Sequence, residues 1–167
     1  HLVVLGAGTA GLVAAVGVAG LGARVALVEK HLLGGDCLNT GCVPSKAMIA
    51  AAQAAHGGEG APELGIAAAT PRIDFAAVHA HVRRVIAAIA PHDSVERFES
   101  LGVQVVKAEA RFTAPDEIIA GTQRIKARRF VIAAGSRAAL PPIPGLAEAG
   151  AYTNETIFDL TERPEHL

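Results

Sequence analysis

Continuous apolar runs alternate along this chain with breaks marked by glycine or proline. Leu2 to Leu5 is an unbroken apolar run, the pattern of a strand buried on both faces of a parallel sheet. A glycine turn follows, and Thr9 to about Leu21, rich in Ala, Val and Gly, predicts a helix. Arg24 to Glu29 predicts a second strand. Together these form a β-α-β unit, whose helix crosses over the sheet in a right-handed sense. Gly34 to Lys46 reads as a loop that breaks into a helix at Pro44, since proline's missing N–H is no loss in a first helical turn. That helix runs to about Ala55, and the Gly-, Ala- and Pro-rich stretch from His56 to Arg72 reads as a connection.

Asp74 to Ser100 is expected to be helical, with Asp74 favouring the helix start and Pro91 dividing the element near Ala90. Leu101-Gly102 ends it. Val103–Val106, Ala110–Thr113, Glu117–Ile119 and Arg124–Lys126 are short alternating segments suited to an antiparallel meander, and Phe130–Ala133 returns to the apolar type of a core strand. Leu140–Pro144 reads as extended, and Tyr152–Leu167 as a linker with a short helix around Thr156–Leu160. The fold class is therefore α/β: a parallel sheet with helices on its faces plus a small antiparallel β meander.

Composition narrows the picture. Leu2 to Ala23 holds no charged residue, enough on hydropathy alone for a membrane span, but Gly6, Gly8, Gly11, Gly17, Gly20 and Gly22 fit a strand, turn and helix better. No membrane association is expected, no secretory signal pattern is present, and a cytoplasmic location is the default. With 51% hydrophobic and 19% charged residues the 167-residue chain is globular. Fifteen Lys and Arg against 16 Asp and Glu give a net charge of −1, and aromatics are 4%, so no nucleic-acid partner is expected. Two cysteines are too few for a secreted disulfide scaffold. The chain opens at His1 on an apolar run, which suggests a piece of something longer.

Gly6-Ala7-Gly8-Thr9-Ala10-Gly11 is a G-x-G-x-x-G turn at a strand-to-helix junction. Gly6 allows the turn, Gly8 admits a pyrophosphate to the backbone, and Gly11 lets helix and strand pack closely with the helix N-terminus facing the phosphates. Glu29 ends the second strand 18 residues after Gly11, where a carboxylate accepts hydrogen bonds from a ribose. These features predict a Rossmann-like dinucleotide site without deciding between NAD and FAD. Cys37 and Cys42 are the only thiols. On a regular helix their spacing would turn them by about 140° with roughly 7.5 Å of rise, whereas a disulfide needs Cα atoms about 4.4–6.8 Å apart. The pair needs a distorted turn, for which Gly41 supplies freedom, and a following helix would favour a thiolate at Cys42. A redox-active pair is the leading reading, beside inert structural thiols and a metal site, for which the surrounding ligands are poor; no metal is expected.

Gly34-Gly35-Asp36-Cys37-Leu38-Asn39-Thr40-Gly41-Cys42-Val43-Pro44-Ser45-Lys46 resembles the active-site signature of the class I pyridine nucleotide-disulfide oxidoreductases, flavoenzymes that include dihydrolipoamide dehydrogenase, mercuric reductase and glutathione reductase. The glycine turn and Glu29-Lys30 match the positions that bind the adenine half of FAD in that family. Ala108–Phe112, with Ala110, resembles the strand that touches the adenine, and Ile132–Ser136, with Ala134, Gly135 and Ser136, resembles the second FAD motif. Val43–Lys46 is more similar to the dihydrolipoamide and mercuric branches. Asp36 stands where Thr is commonest, and Ala134 replaces another Thr.

The resemblance implies an enzyme in which NAD(P)H reduces FAD and FAD reduces Cys37–Cys42. Cys37 would be the interchange thiol that passes electrons to a disulfide or metal-ion substrate, Cys42 the thiol against the flavin, and Lys46 a charge near flavin N5. Gly35, Asp36, Cys37, Cys42 and Lys46 would also line the flavin site. Residues 1–150 would be the N-terminal, incomplete part of the FAD domain, and 151–167 a linker toward an NAD(P) domain outside this chain. The longer parent would be a homodimer, and the fragment alone would lack turnover. Two other readings stay open: a redox-sensing dinucleotide-binding domain without turnover, and a simple Rossmann dehydrogenase with structural thiols.

Overall fold

A computed structural model describes residues 1–57, 65 and 71–166. Most of the expected connection between His56 and Arg72 lies outside the described residues. In chain order the elements are β1 (Leu2–Leu5), α1 (Thr9–Gly20), β2 (Val25–Glu29), α2 (Gly35–Asn39), α3 (Cys42–Gly57), α4 (Phe75–Ile89), α5 (Val95–Ser100), β3 (Val103–Lys107), β4 (Ala110–Ala114), β5 (Glu117–Ala120), β6 (Gln123–Lys126) and β7 (Arg129–Ile132). They divide into two compact units, one of His1–Asn39 with Ile89–Arg137 and the other of Thr40–Ala88 with Ala138–Leu167.

The first unit is built on a four-stranded parallel sheet in the order β3-β2-β1-β7. Its register sets Val3 opposite Ala26 on one side and Phe130 on the other. Side chains alternate across a strand, so β1 and β2 feed two separate cores. Leu2, Val4, Val25 and Leu27 pack with Leu12 and Ala15 of α1 and Phe98 of α5. Val3, Ala26 and Val28 pack on the opposite face with Ile118 and Ala120 of β5. This double coverage explains the continuous apolar runs of β1 and β2.

Two expectations are corrected. Val103–Lys107 pairs in parallel with β2 and does not join the meander, because its alternating pattern fits a parallel edge strand as well as an antiparallel one. The run at Phe130 was expected to be a core strand, but β7 is the other edge, and Ile132 is 71% exposed there. The true meander is the three-stranded sheet β4-β5-β6. Phe112 of β4 meets Phe130 of β7 edge to face, with ring centroids 5.0 Å apart, a favoured aromatic geometry. Ser94 caps α5 by accepting from the Arg97 amide at 3.2 Å, and a 3-10 turn over Ala90–Asp93 contains Pro91, where the break was expected.

In the second unit, Asp74 caps α4 by accepting the Ala77 amide at 3.0 Å. Val82 is buried on that helix, and Phe75, Val78 and Val85 along the same stripe are partly buried. Arg83 of α4 pairs with Asp159 in a short 3-10 turn, Ile157–Asp159. The helix expected to break from a loop at Pro44 instead begins at Cys42, so Pro44 lies within its first turn and is buried. Among the described residues no helix is long and apolar enough to cross a membrane.

Glu117 is the buried charged residue of the meander. Its carboxylate accepts from the Thr113 hydroxyl at 2.7 Å and from Arg124, with Lys126 at 3.7 Å. The Thr113 hydrogen bond chiefly, then the Arg124 and Lys126 charges, hold its carboxyl below the ordinary 4.5 against the opposing effect of burial. A depressed folded value gives stability that is present above 4.5 and lost as pH falls through the folded value. Urea unfolding at neutral pH and on the acid side of 4.5 should therefore show a steeper acid loss in the unaltered chain than in Glu117→Gln. For the core, Leu27→Ala, at a fully buried position, should cost about 2–5 kcal/mol. Leu21→Ala, at an 87% exposed position, should stay within about 0.5 kcal/mol in the same assay.

Candidate functional site

The site grows from the turn between β1 and α1. Gly6 has φ +104°, and a Cβ there would lie 2.2 Å from the Ala133 carbonyl oxygen. A Cβ on Gly11 would lie 1.8 Å from the Gly6 carbonyl oxygen. The protein's own backbone therefore forbids side chains at both positions. Gly8 differs: its φ is −81°, and a Cβ would meet only the Gly35 Cα, at an ordinary 3.7 Å. Among the described residues packing therefore does not demand the missing side chain at Gly8, which fits a group that must reach the backbone there. Thr9 and Ala10 open α1 and are exposed, and first-turn amides have no intrahelical partner. Gly8 itself makes no side-chain cap.

Three segments gather around this turn within the first unit. Ala133 donates its amide to Leu5 O at 2.8 Å, and the Ala134 Cα lies 3.1 Å from where a Gly6 Cβ would be, so the chain leaving β7 brings Ala134 beside the turn, with Gly135 and Ser136 following in sequence. Ala108 donates to Glu29 O at 3.0 Å, which carries Ala110 toward the end of β2. Lys30 reaches Glu109 at 3.5 Å, an exposed pair of little energetic weight. Glu29 bridges two backbone amides: Ala7 N–H donates to Oε2 and His31 N–H to Oε1, each at 2.7 Å. Each carboxylate oxygen has a further lone pair, so ribose hydroxyls can still be received.

The cysteine segment approaches the same turn. Gly34 and Gly35 have φ +89° and +57°, consecutive left-handed residues that bring the chain back onto the glycine turn. Gly34 donates to Ala7 O at 2.9 Å, and a Cβ on Gly35 would sit 2.6 Å from the Gly8 Cα. The stretch from Gly34 was expected to be loop, but α2 forms over Gly35–Asn39, with Asp36 exposed in its first turn. The Asn39 side chain donates to Leu33 O at 3.1 Å and Gly35 O at 2.9 Å, fastening this short helix. Cys37 is partly buried on α2.

Cys42 is the first residue of the 16-residue α3 in the second unit, with Lys46 four residues on; both are exposed. Side chains four apart share a helix face. Both cysteines are disulfide-bonded, and the chain contains only these two. The sequence offers Gly6, Gly8, Gly11 and Glu29 as candidates, while the clamp on Ala7 and the part of Asn39 come from the structure. The adjacent glycines at 34 and 35 were the available signal for a close backbone approach. Among the described residues no group of three or more His, Cys, Asp or Glu stands together as a metal site.

The sequence profile of the pyridine nucleotide-disulphide oxidoreductases matches residues 1–167, and the chain belongs to that family. It is 34% identical over 172 residues to a mercuric reductase of Streptomyces lividans, covering 99% of this chain and 36% of the reductase. It is 37% identical over 175 residues to the mercuric reductase of Shigella flexneri, covering all of this chain and 31% of that protein. A dihydrolipoyl dehydrogenase of Acholeplasma laidlawii is 30% identical over 89% of this chain and 44% of its own. The HOCl-induced flavoprotein disulfide reductase RclA of Escherichia coli superposes with a TM-score of 0.79 at 25% identity, covering 97% of this chain and 34% of RclA. The chain thus spans about a third of the mercuric reductases and of RclA.

The two contacting glycines should respond differently to substitution. Gly8→Ala should leave thermal stability unchanged, because its Cβ meets nothing closer than 3.7 Å. Gly35→Ala, strained at φ +57° and driven onto Gly8, should cost about 1–3 kcal/mol, read from urea unfolding.

Proposed function

We propose that this chain is the FAD-binding portion of a flavin-dependent disulfide reductase. The observation that carries the reading is that the protein's own packing does not require a glycine at position 8, backed by the segment that bears a disulfide-bonded cysteine. Gly6, Gly8, Thr9, Ala10 and Gly11 would hold the pyrophosphate, and Glu29, Lys30 and Ala110 the adenosine. Gly35, Asp36 and Ala134–Ser136 would line the approach to the isoalloxazine end. When bound, FAD supplies the electron pair that opens Cys37–Cys42. Cys42, at the head of α3, is held where the helix dipole favours a thiolate. Lys46 supplies a positive charge on the same helical face, and Cys37 acts as the exchange thiol.

The electrons come from NAD(P)H through a nicotinamide-binding domain of the longer parent, which works as a homodimer in the cytoplasm. The substrate is a small-molecule disulfide or a metal ion. The similarity to mercuric reductases, to a dihydrolipoyl dehydrogenase and to RclA, which is also known as a Cu(II) complex, supports both classes. This reading is favoured over a sensor domain without turnover and over a simple dehydrogenase because the cysteine segment is packed onto the nucleotide turn itself.

The test is flavin retention by the parent protein. The purified parent should show oxidised flavin absorption bands and NAD(P)H-dependent disulfide reduction. Gly8→Val should lower flavin retention at least tenfold, with circular dichroism confirming that the fold persists. Undiminished retention in Gly8→Val would overturn the assignment. Flavin-independent binding of a protein partner that responds to thiol state, without turnover, would favour the sensor. The 167-residue chain alone should show no NAD(P)H oxidation even with FAD added.

A further inference from the structure

Ala7, fully buried, is gripped through both of the peptide groups that flank its Cα. Its N–H donates to Glu29 Oε2 at 2.7 Å, and its carbonyl accepts from Gly34 N–H at 2.9 Å. The other Glu29 oxygen receives the His31 amide at 2.7 Å, and Lys107 donates to the His31 carbonyl. Thus the segment leaving β2 is tied to the glycine turn at residues 29 and 34, with His31 held to Glu29 between them, before it reaches Cys37. Gly35 then rests against Gly8, and Asn39 binds α2 back to Leu33 and Gly35.

We propose that Glu29 is a positioning residue for Cys37, a role separate from ribose recognition: its carboxylate bridges the turn and the following loop and thereby fixes the segment that presents this thiol. The inference deepens the reductase reading and rests on it for its relevance to turnover. Only a carboxylate meets the requirement, since two amide donors converge on it and both oxygens must accept. A carboxamide would bring its NH2 against one of those N–H groups. Because ordering the segment limits the freedom of Cys37, the bridge favours the closed disulfide over the open dithiol. Binding reciprocity then requires that disulfide closure in turn steady the Ala7 amide.

The test needs neither flavin nor nicotinamide. The oxidised chain is equilibrated with a dithiol buffer of known ratio. The Cys37–Cys42 bond breaks and two thiols form, while the buffer dithiol gives up two electrons and two protons and becomes a cyclic disulfide. Thiols are then counted with a maleimide. Glu29→Gln should make the disulfide about tenfold easier to reduce, the scale of one charge-assisted hydrogen bond and equal to about 30 mV for this couple. Glu117→Gln, in the meander, should leave the equilibrium unchanged although it lowers stability. An unchanged equilibrium in folded Glu29→Gln, or an equal shift in Glu117→Gln, overturns the proposal. If Glu29→Gln does not fold, hydrogen exchange on the unaltered chain decides: the Ala7 and Gly34 amides should exchange at least severalfold more slowly in the oxidised than in the reduced state, and equal rates overturn it. Loss of flavin binding by the parent would sink the reductase reading while leaving these readouts intact, so the two failures are distinguishable.

Discussion

The backbone contact between Gly11 and Gly6 sets the geometry on which the first unit depends. With a Cβ position only 1.8 Å from the Gly6 carbonyl oxygen, α1 can start where it does only because residue 11 has no side chain. That start directs α1 across β1 and β2, where Leu12 and Ala15 close one core against Val4 and Leu27. It also exposes the first-turn amides of α1 at the end of the parallel strands, where ligands of open α/β sheets bind. Gly6 is constrained from the other side by Ala133. The same turn therefore locks helix, sheet and the segment after β7 together.

Gly8 gains its meaning from that contrast. Two of the three glycines are demanded by the protein's own packing, whereas a Cβ at the third would meet only an ordinary 3.7 Å contact. The cysteine segment contacts the turn at that third glycine through Gly35. The proposed nucleotide turn and the segment that bears Cys37 are thus joined through backbone contacts, which transmit position without flexible side chains in between. Family membership accords with this arrangement, since the matched relatives include mercuric reductases and a dihydrolipoyl dehydrogenase.

The double-sided core explains why some strands were easier to recognise than others. β1 and β2 are covered by helices on one face and the meander on the other, so their composition is apolar throughout. β3 and β7 lie at the edges, where partial exposure relaxes the pattern. An alternating strand such as Val103–Lys107 carries no mark of parallel or antiparallel pairing. Only the identity of its neighbour, β2, decides that.

The sequence by itself determined the β-α-β opening, the glycine turn, the acid at the end of β2, the break at Pro91 and the spacing of the two cysteines. Each of these rests on local stereochemistry: apolar runs, residues without side chains, a missing amide hydrogen, or a fixed number of intervening residues. Tertiary structure alone decided that β3 joins the parallel sheet and that β7 is an edge. It also decided that Glu29, Ala7 and Gly34 form one bridge. Those features join residues 22 or more positions apart, as with Glu29 and Ala7. A contact of that range leaves no periodic trace along the chain, because its energy depends on where two distant backbone groups meet.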